Sequence, residues 1–157
     1  MSRQAPRHAA IDGSDLKVGV AAARFNQELV DALLADVCAH LRAAGVRKSR
    51  MTVVRVPGSN ELPSTVQLLF RRRRPDVCIA LGVIIRGETR HFELVADASS
   101  LGLMRVALAA GRPVINGIIV AENARQAEAR CRGRLRRGAE FAQSALEMAA
   151  LRRAISR

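Results

Sequence analysis

His91 follows directly on Arg86-Gly87-Glu88-Thr89-Arg90, and this short string holds the chain's clearest chemical signal. An imidazole with an ordinary pKa of about 6.5 can carry protons near neutrality. Glycine lets a ligand approach the backbone and threonine adds a hydroxyl. A helix opening near His91 would contribute free N–H groups, so Gly87, Glu88 and Thr89 read as an anion site. It is not a Walker loop, because no GxxxxGK[ST] string occurs. No Cys or Ser stands beside His91 in a nucleophile motif, which leaves a proton shuttle or a structural histidine as its two readings. Two further strings carry recognisable chemistry. Phe25, between Arg24 and Asn26, is either a core cap or a stacking surface for a flat ligand. Pro57-Gly58-Ser59-Asn60-Glu61 brings hydrogen-bonding groups suited to a polyol, although Glu61 reads equally as a first-turn carboxylate on a helix dipole.

Such groups act together only if the elements before them end in one place. Leu16–Ala21 is a short β-prone run, followed by Asn26 as the expected cap of a helix over 27–44 that stops at Gly45. Met51–Val56 reads as a second strand ended by Pro57-Gly58. Glu61–Phe70 reads as a helix with Pro63 in its first turn, closed by Arg71 to Arg74 at the negative end of its dipole. Val77–Ile85 is a continuous apolar run of the kind buried on both faces of a parallel sheet. A helix over 91–110, a strand over 113–120, an Asn123-capped helix containing Arg130, and a helix over 139–155 with Leu151 on its apolar side complete the chain. Strand and helix alternate four times. The expected fold is therefore a one-domain, three-layer α/β/α sandwich on a mainly parallel four-stranded sheet, with residues 1–14 as a flexible arm before a domain over 15–157. Ligands bind such sheets beyond the carboxyl ends of the strands. Those ends are 22–26, 57–61, 84–91 and 116–122, where all three strings fall.

Composition narrows the partners. The 157 residues are 49% hydrophobic and 25% charged, enough apolar material for a core and too much for a disordered chain. The apolar run 77–85 stops at Arg86, well short of the roughly 18–20 residues of a membrane span. The first fifteen residues contain no apolar leader core, so a cytoplasmic location is expected. Three cysteines in no ligand-like spacing support neither a disulfide framework nor a metal site. Cys38 and Cys78 read as small buried thiols, and Cys131, among arginines, as a more acidic one. The formal net charge is +12, and all of the 26 cationic residues except Lys17 and Lys48 are Arg. Residues 125–157 alone hold nine Arg against three Glu. Such a field attracts anions. Nucleic acid is not the expected partner, because the chain has no Trp, no Tyr and only four Phe on which bases could stack.

Taken in order, Ala23-Arg24-Phe25-Asn26, Val56 to Pro63 (VPGSNELP), Leu81 to Phe92 (LGVIIRGETRHF), Asn116-Gly117, Gln126 to Arg130 (QAEAR) and Ser144 to Met148 (SALEM) resemble the lumazine synthases over about residues 16–153. The resemblance implies a flavodoxin-like, oligomeric fold. It further implies condensation of 5-amino-6-(D-ribitylamino)uracil with 3,4-dihydroxy-2-butanone 4-phosphate to 6,7-dimethyl-8-ribityllumazine, the penultimate step of riboflavin synthesis. No metal and no organic cofactor is implied. The implied assembly is a pentamer or a multiple of pentamers, with active sites between subunits and riboflavin synthase as a possible partner.

By the same resemblance, Phe25 stacks on the pyrimidine, Ser59, Asn60 and Glu61 hold the ribityl chain, and main-chain groups at Val83, Ile84 and Ile85 meet the ring edge. Gly87, Glu88 and Thr89 take the phosphate with Arg130 from a neighbouring subunit, while His91 moves protons. Asn60 and Asn116 depart from the family, which usually has an aromatic or aliphatic residue at the first position and often Phe at the second. Asn116 is expected to add a polar group at the ring site. The stretch 131–138 is more basic than the family's and about one residue shorter, and it bears on how pentamers pack. Two alternatives follow from these departures and from the charge. One is a diverged paralogue binding a related flavin, pteridine or phosphorylated sugar; the other is a basic nucleic-acid-binding protein.

Overall fold

Val18–Ala23 (β1) is apolar at every position and buried at every position, as a central strand covered on both faces must be. In the computed structural model, which describes residues 10–156, β1 pairs in parallel with Met51–Val56 (β2) and with Val77–Ile85 (β3). Val114–Ala121 (β4) pairs in parallel with the far side of β3, giving the order β2-β1-β3-β4. Every pairing in the sheet is parallel. The chain steps from β1 out to β2, then returns across β1 to β3. The reversal opens a crevice between the carboxyl ends of β1 and β3.

Five helices cover the sheet: α1 (Gln27–Ala43), α2 (Leu62–Arg72), α3 (His91–Ala110), α4 (Ala124–Cys131) and α5 (Gly138–Ile155). Two cores result, one on each face. Val18, Val20 and Ala22 of β1 share the first with Leu33 and Val37 of α1, Ala127 of α4, and Ala142, Ala145 and Leu146 of α5. Ala21 and Ala23 share the second with Val66, Leu69 and Phe70 of α2 and Leu103 of α3. The second core depends on a close crossing, because a Cβ placed on Gly102 of α3 would lie 2.8 Å from Pro63 Cγ of α2. No helix among the described residues is long and apolar enough to cross a membrane.

Several expected boundaries move for identifiable reasons. β1 begins at Val18 instead of Leu16, because Leu16 N closes a turn on Gly13 O and Lys17 N donates to Asp76 Oδ2 before the ladder starts. β4 begins after Pro113, which has no N–H to offer, although its carbonyl accepts from Cys78 N. A 3-10 turn over Ser59–Glu61 precedes α2, which runs on to Arg72. Leu151 does not join the apolar side of α5; it is 50% exposed, two residues past the last buried position, Ala149. Of the arm expected over 1–14, residues 1–9 lie outside the described residues. Residues 11–14 lie against the domain, with Ile11 packed on the first core and Gly13 N donating to Ala44 O. Cys131 is no acidic thiol. It is buried, and loss of solvent pushes its pKa up to about 11 against the pull of Arg132; the same effect takes Cys78 to about 12.

Candidate functional site

Both strands at the switch point end in residues that hold their loops open toward solvent. After β1, Arg24 N donates to Val56 O and Phe25 N to Pro57 O, so the first loop is stitched to the second. Asn26 then turns left-handed, at φ 52° and ψ 47°, which asparagine tolerates better than most residues. Its side chain does not cap α1 as expected. The Nδ2 instead donates to Val83 O at 2.9 Å across the crevice, and the Asn26 carbonyl accepts from Leu29 and Val30. Phe25 is carried outward by this turn. Its ring is 74% exposed, which removes the core-cap reading.

The second loop is shaped by Glu61, whose Oε2 accepts from Gly58 N at 2.8 Å. One carboxylate oxygen is thus spent on folding the loop, and the other is free for a ligand. Ser59 is 5% exposed and lies deep in the loop. It fits because residue 82 is glycine: a Cβ there would stand 2.5 Å from Ser59 Oγ. Asn60 is exposed beside it.

β3 extends beyond its pairing with β1, which ends at Ala22 opposite Leu81, while it stays paired with β4 to Ile85. Amide and carbonyl of one strand residue point to the same side, and the side alternates. Val83 O faces Asn26, whereas Arg86 N donates to Ala121 O of β4. Alternation therefore turns the main-chain groups of Ile85 toward the crevice and those of Ile84 toward β4. Of the three residues expected at the ring edge, only Val83 and Ile85 turn main-chain groups toward the crevice.

The third loop ends at the first turn of α3. A Cβ on Gly87 would meet nothing within 4 Å, so packing within the chain does not require glycine there and the space beside it is open. Thr89 and His91 flank that space. Arg86 is fixed to Glu122 at 2.9 Å, which raises its pKa first through the hydrogen bond and then through the charge; its guanidinium lies over the Phe92 ring.

These three loops and the end of β3 enclose one cavity of about 500 Å³. Phe25, Ser59, Asn60, Glu61, Val83, Ile84, Ile85, Gly87, Thr89 and His91 all line it. Asn26 and Pro57 of the expected strand-end loops line it too, as do Phe92 and Val95, which the sequence did not single out as site residues. Asn26 also carried a readable signal, the asparagine preference for left-handed turns. The size and the mixed apolar and polar lining suit a small organic ligand.

Three expected site residues lie elsewhere in the single chain. Glu88 does not line the cavity. Asn116 sits in mid-strand opposite Ala80, five residues and roughly 16 Å short of the strand end. Its side chain is already engaged, donating to Ser100 Oγ and accepting from Ile118 N, each at 3.1 Å. Arg130 rides on α4, which packs on the opposite face of the sheet, and donates to Gln126 O. Within one chain, nothing carries it to the loop at Gly87–Thr89.

A family model described as 6,7-dimethyl-8-ribityllumazine synthase matches residues 15–153. Curated relatives bearing that description include one from Verminephrobacter eiseniae, 45% identical over 146 residues and covering 93% of both chains. Another, from Paracidovorax citrulli, is 44% identical over 141 residues and covers 90% of both. One from Chromobacterium violaceum is 41% identical over 143 residues, covering 91% of this chain and 90% of the relative.

Proposed function

Since the chain belongs to the 6,7-dimethyl-8-ribityllumazine synthase family, we propose that the cavity at the β1/β3 switch point is where it performs the reaction. The chain is a transferase of riboflavin biosynthesis. It condenses 5-amino-6-(D-ribitylamino)uracil with 3,4-dihydroxy-2-butanone 4-phosphate to 6,7-dimethyl-8-ribityllumazine, releasing phosphate and water. The observation that carries the assignment is the meeting of a ring platform, a polyol edge, an anion loop and an imidazole in one cavity.

Phe25 offers its exposed face to the pyrimidine, and Val83 and Ile85 offer main-chain groups to its edge. Ser59, Asn60 and the free oxygen of Glu61 take ribityl hydroxyls. Thr89, the Gly87 backbone and the first turn of α3 receive the phosphate. Held this way, the 5-amino nitrogen of the uracil meets the ketone carbon of the butanone. Attack forms a C–N bond, and water leaves as the imine forms. Loss of the phosphate ester breaks a C–O bond, and closure by the ribityl-bearing nitrogen expels a second water. Each step moves a proton to or from oxygen, nitrogen or carbon, the task given to His91. Positioning two substrates side by side supplies much of the acceleration.

The two arginines that bracket the phosphate loop are engaged within the chain, Arg86 with Glu122 and Arg90 with Glu93, and among the described residues nothing covers the outer face of α3. Leu101 is 54% exposed and Leu108 76%, with Leu94 and Met104 exposed on the same helix. Large apolar residues spaced by seven along one helix form a stripe. A second copy seated on it buries the stripe and can bring its Arg130 to the loop of the first. The stripe supports an oligomer with active sites between subunits, and the family resemblance makes that oligomer a pentamer or a multiple of pentamers. It works in the cytoplasm and passes its product to riboflavin synthase.

Mixing the purified protein with both substrates and following lumazine absorbance tests this reading. Wild type turns over, and His91→Ala falls by about 10²–10⁴-fold with little change in substrate binding. Full turnover in that variant removes His91 from the mechanism, and no turnover in wild type at high enzyme concentration removes the reaction.

A further inference from the structure

α2 and α3 run side by side from the candidate active site to the opposite end of the sheet, and there they enclose a second cavity of about 400 Å³. Its wall is apolar where Phe70 of α2 meets Ala109 and Ala110 of α3. Its rim is cationic, with Arg71 in the last turn of α2, Arg74 just beyond it and Arg112 just after α3. Arg74 is held at φ 50°, a left-handed conformation unusual for arginine.

Helix ends explain only part of this charge. Two helix C-termini amount to about one negative charge between them, roughly half each, and three guanidinium groups stand against it. No carboxylate lines the cavity. Among the described residues, neither Arg71 nor Arg74 forms an ion pair or a side-chain hydrogen bond. The nearby Asp76 is hydrogen-bonded to Arg153 at 2.8 Å and to Lys17 N, and it acts on the rim only through space, on Arg112. Arg112 donates to Pro75 O, and burial followed by repulsion from Arg152 and Arg74 lowers its pKa. The rim therefore carries an excess of positive charge beside an apolar wall.

We propose that this cavity is a second ligand site, separate from the catalytic one, for a phosphomonoester with a small flat apolar body. The phosphate, a dianion near neutrality, bridges Arg71, Arg74 and Arg112, and guanidinium forks bind such oxygens in pairs. The apolar body lies against Phe70, Ala109 and Ala110. A phosphate alone binds more weakly, because it leaves that wall wet.

Methyl-labelled alanine and valine in the assembled protein allow both cavities to be watched at once, with phenyl phosphate as the probe. Saturable shifts are expected at the Ala109 and Ala110 methyls, besides any at Val83 and Val95 of the catalytic cavity. The double variant Arg71→Gln/Arg74→Gln, which alters two exposed side chains, weakens binding at Ala109 and Ala110 by about tenfold or more. It leaves the response at Val83 and Val95 as in wild type. Inorganic phosphate moves the same two alanines only at higher concentration. Shifts confined to Val83 and Val95, no saturation at Ala109 and Ala110, or equal affinity in the double variant would each overturn the proposal.

Discussion

Ser59 and residue 82 are a matched pair: one can be buried only because the other has no side chain. Gly82→Ala drives a methyl into Ser59 Oγ, 2.5 Å from where its carbon must sit. Overpacking of this kind costs about 1–3 kcal/mol. A lower melting temperature and a raised KM for the uracil are the expected readings, with KM for the butanone phosphate little changed. Arg130 tests the other substrate. Arg130→Ala raises KM for the butanone phosphate by about tenfold to a hundredfold, the worth of a charge-assisted bond, and spares that for the uracil. Steady-state kinetics with each substrate varied in turn checks both, and equal effects on the two KM values would refute the phosphate role of Arg130. At this scale the sequence was legible where a side chain sits at a strand end and enters the cavity directly. Phe25, Ser59, Thr89 and His91 reach one cavity as their strand-end positions foretold. Asn26 was misread because a residue able to cap a helix is also able to turn left-handed, and only the third dimension shows Val83 O within its reach.

Asn123 is the asparagine that does cap: its Oδ1 accepts from Gln126 N at 2.9 Å at the start of α4. Asn123→Ala removes that acceptor and costs about 1 kcal/mol, measurable as a lower urea midpoint with an unchanged slope. Since α4 carries Arg130, the same variant also loosens the guanidinium and raises KM for the butanone phosphate. Several elements closed by strong punctuation were readable at that end. β2 ends at Pro57-Gly58, β3 stops at Arg86, and α3 closes at Gly111 with φ 58°. Elements whose ends depend on tertiary hydrogen bonds were not. β1 starts two residues late because Asp76, distant in sequence, takes the Lys17 amide.

For the whole molecule, the open question left by one chain is what lies over α3. Charging the stripe, with Leu101→Glu and Leu108→Glu together, leaves the two cores intact because neither residue belongs to them. Sedimentation velocity is expected to show the assembly falling to smaller species, and activity to fall with it as Arg130 is withdrawn. An unchanged sedimentation coefficient would move the interface elsewhere. Asn116 and Arg130 were not placed by the sequence, because the register of β4 leaves the first five residues short of the strand end and α4 carries the second on the other face of the sheet. The contact of Gly102 with Pro63 has its own effect. With no side chain between them, α2 and α3 cannot be squeezed closer at that point, and any tilt of one helix on the other turns about it. Pro63 lies near the catalytic end of α2, so a slight tilt there sweeps a longer arc at Arg71 and Arg74. The two cavities sit on either side of one fulcrum.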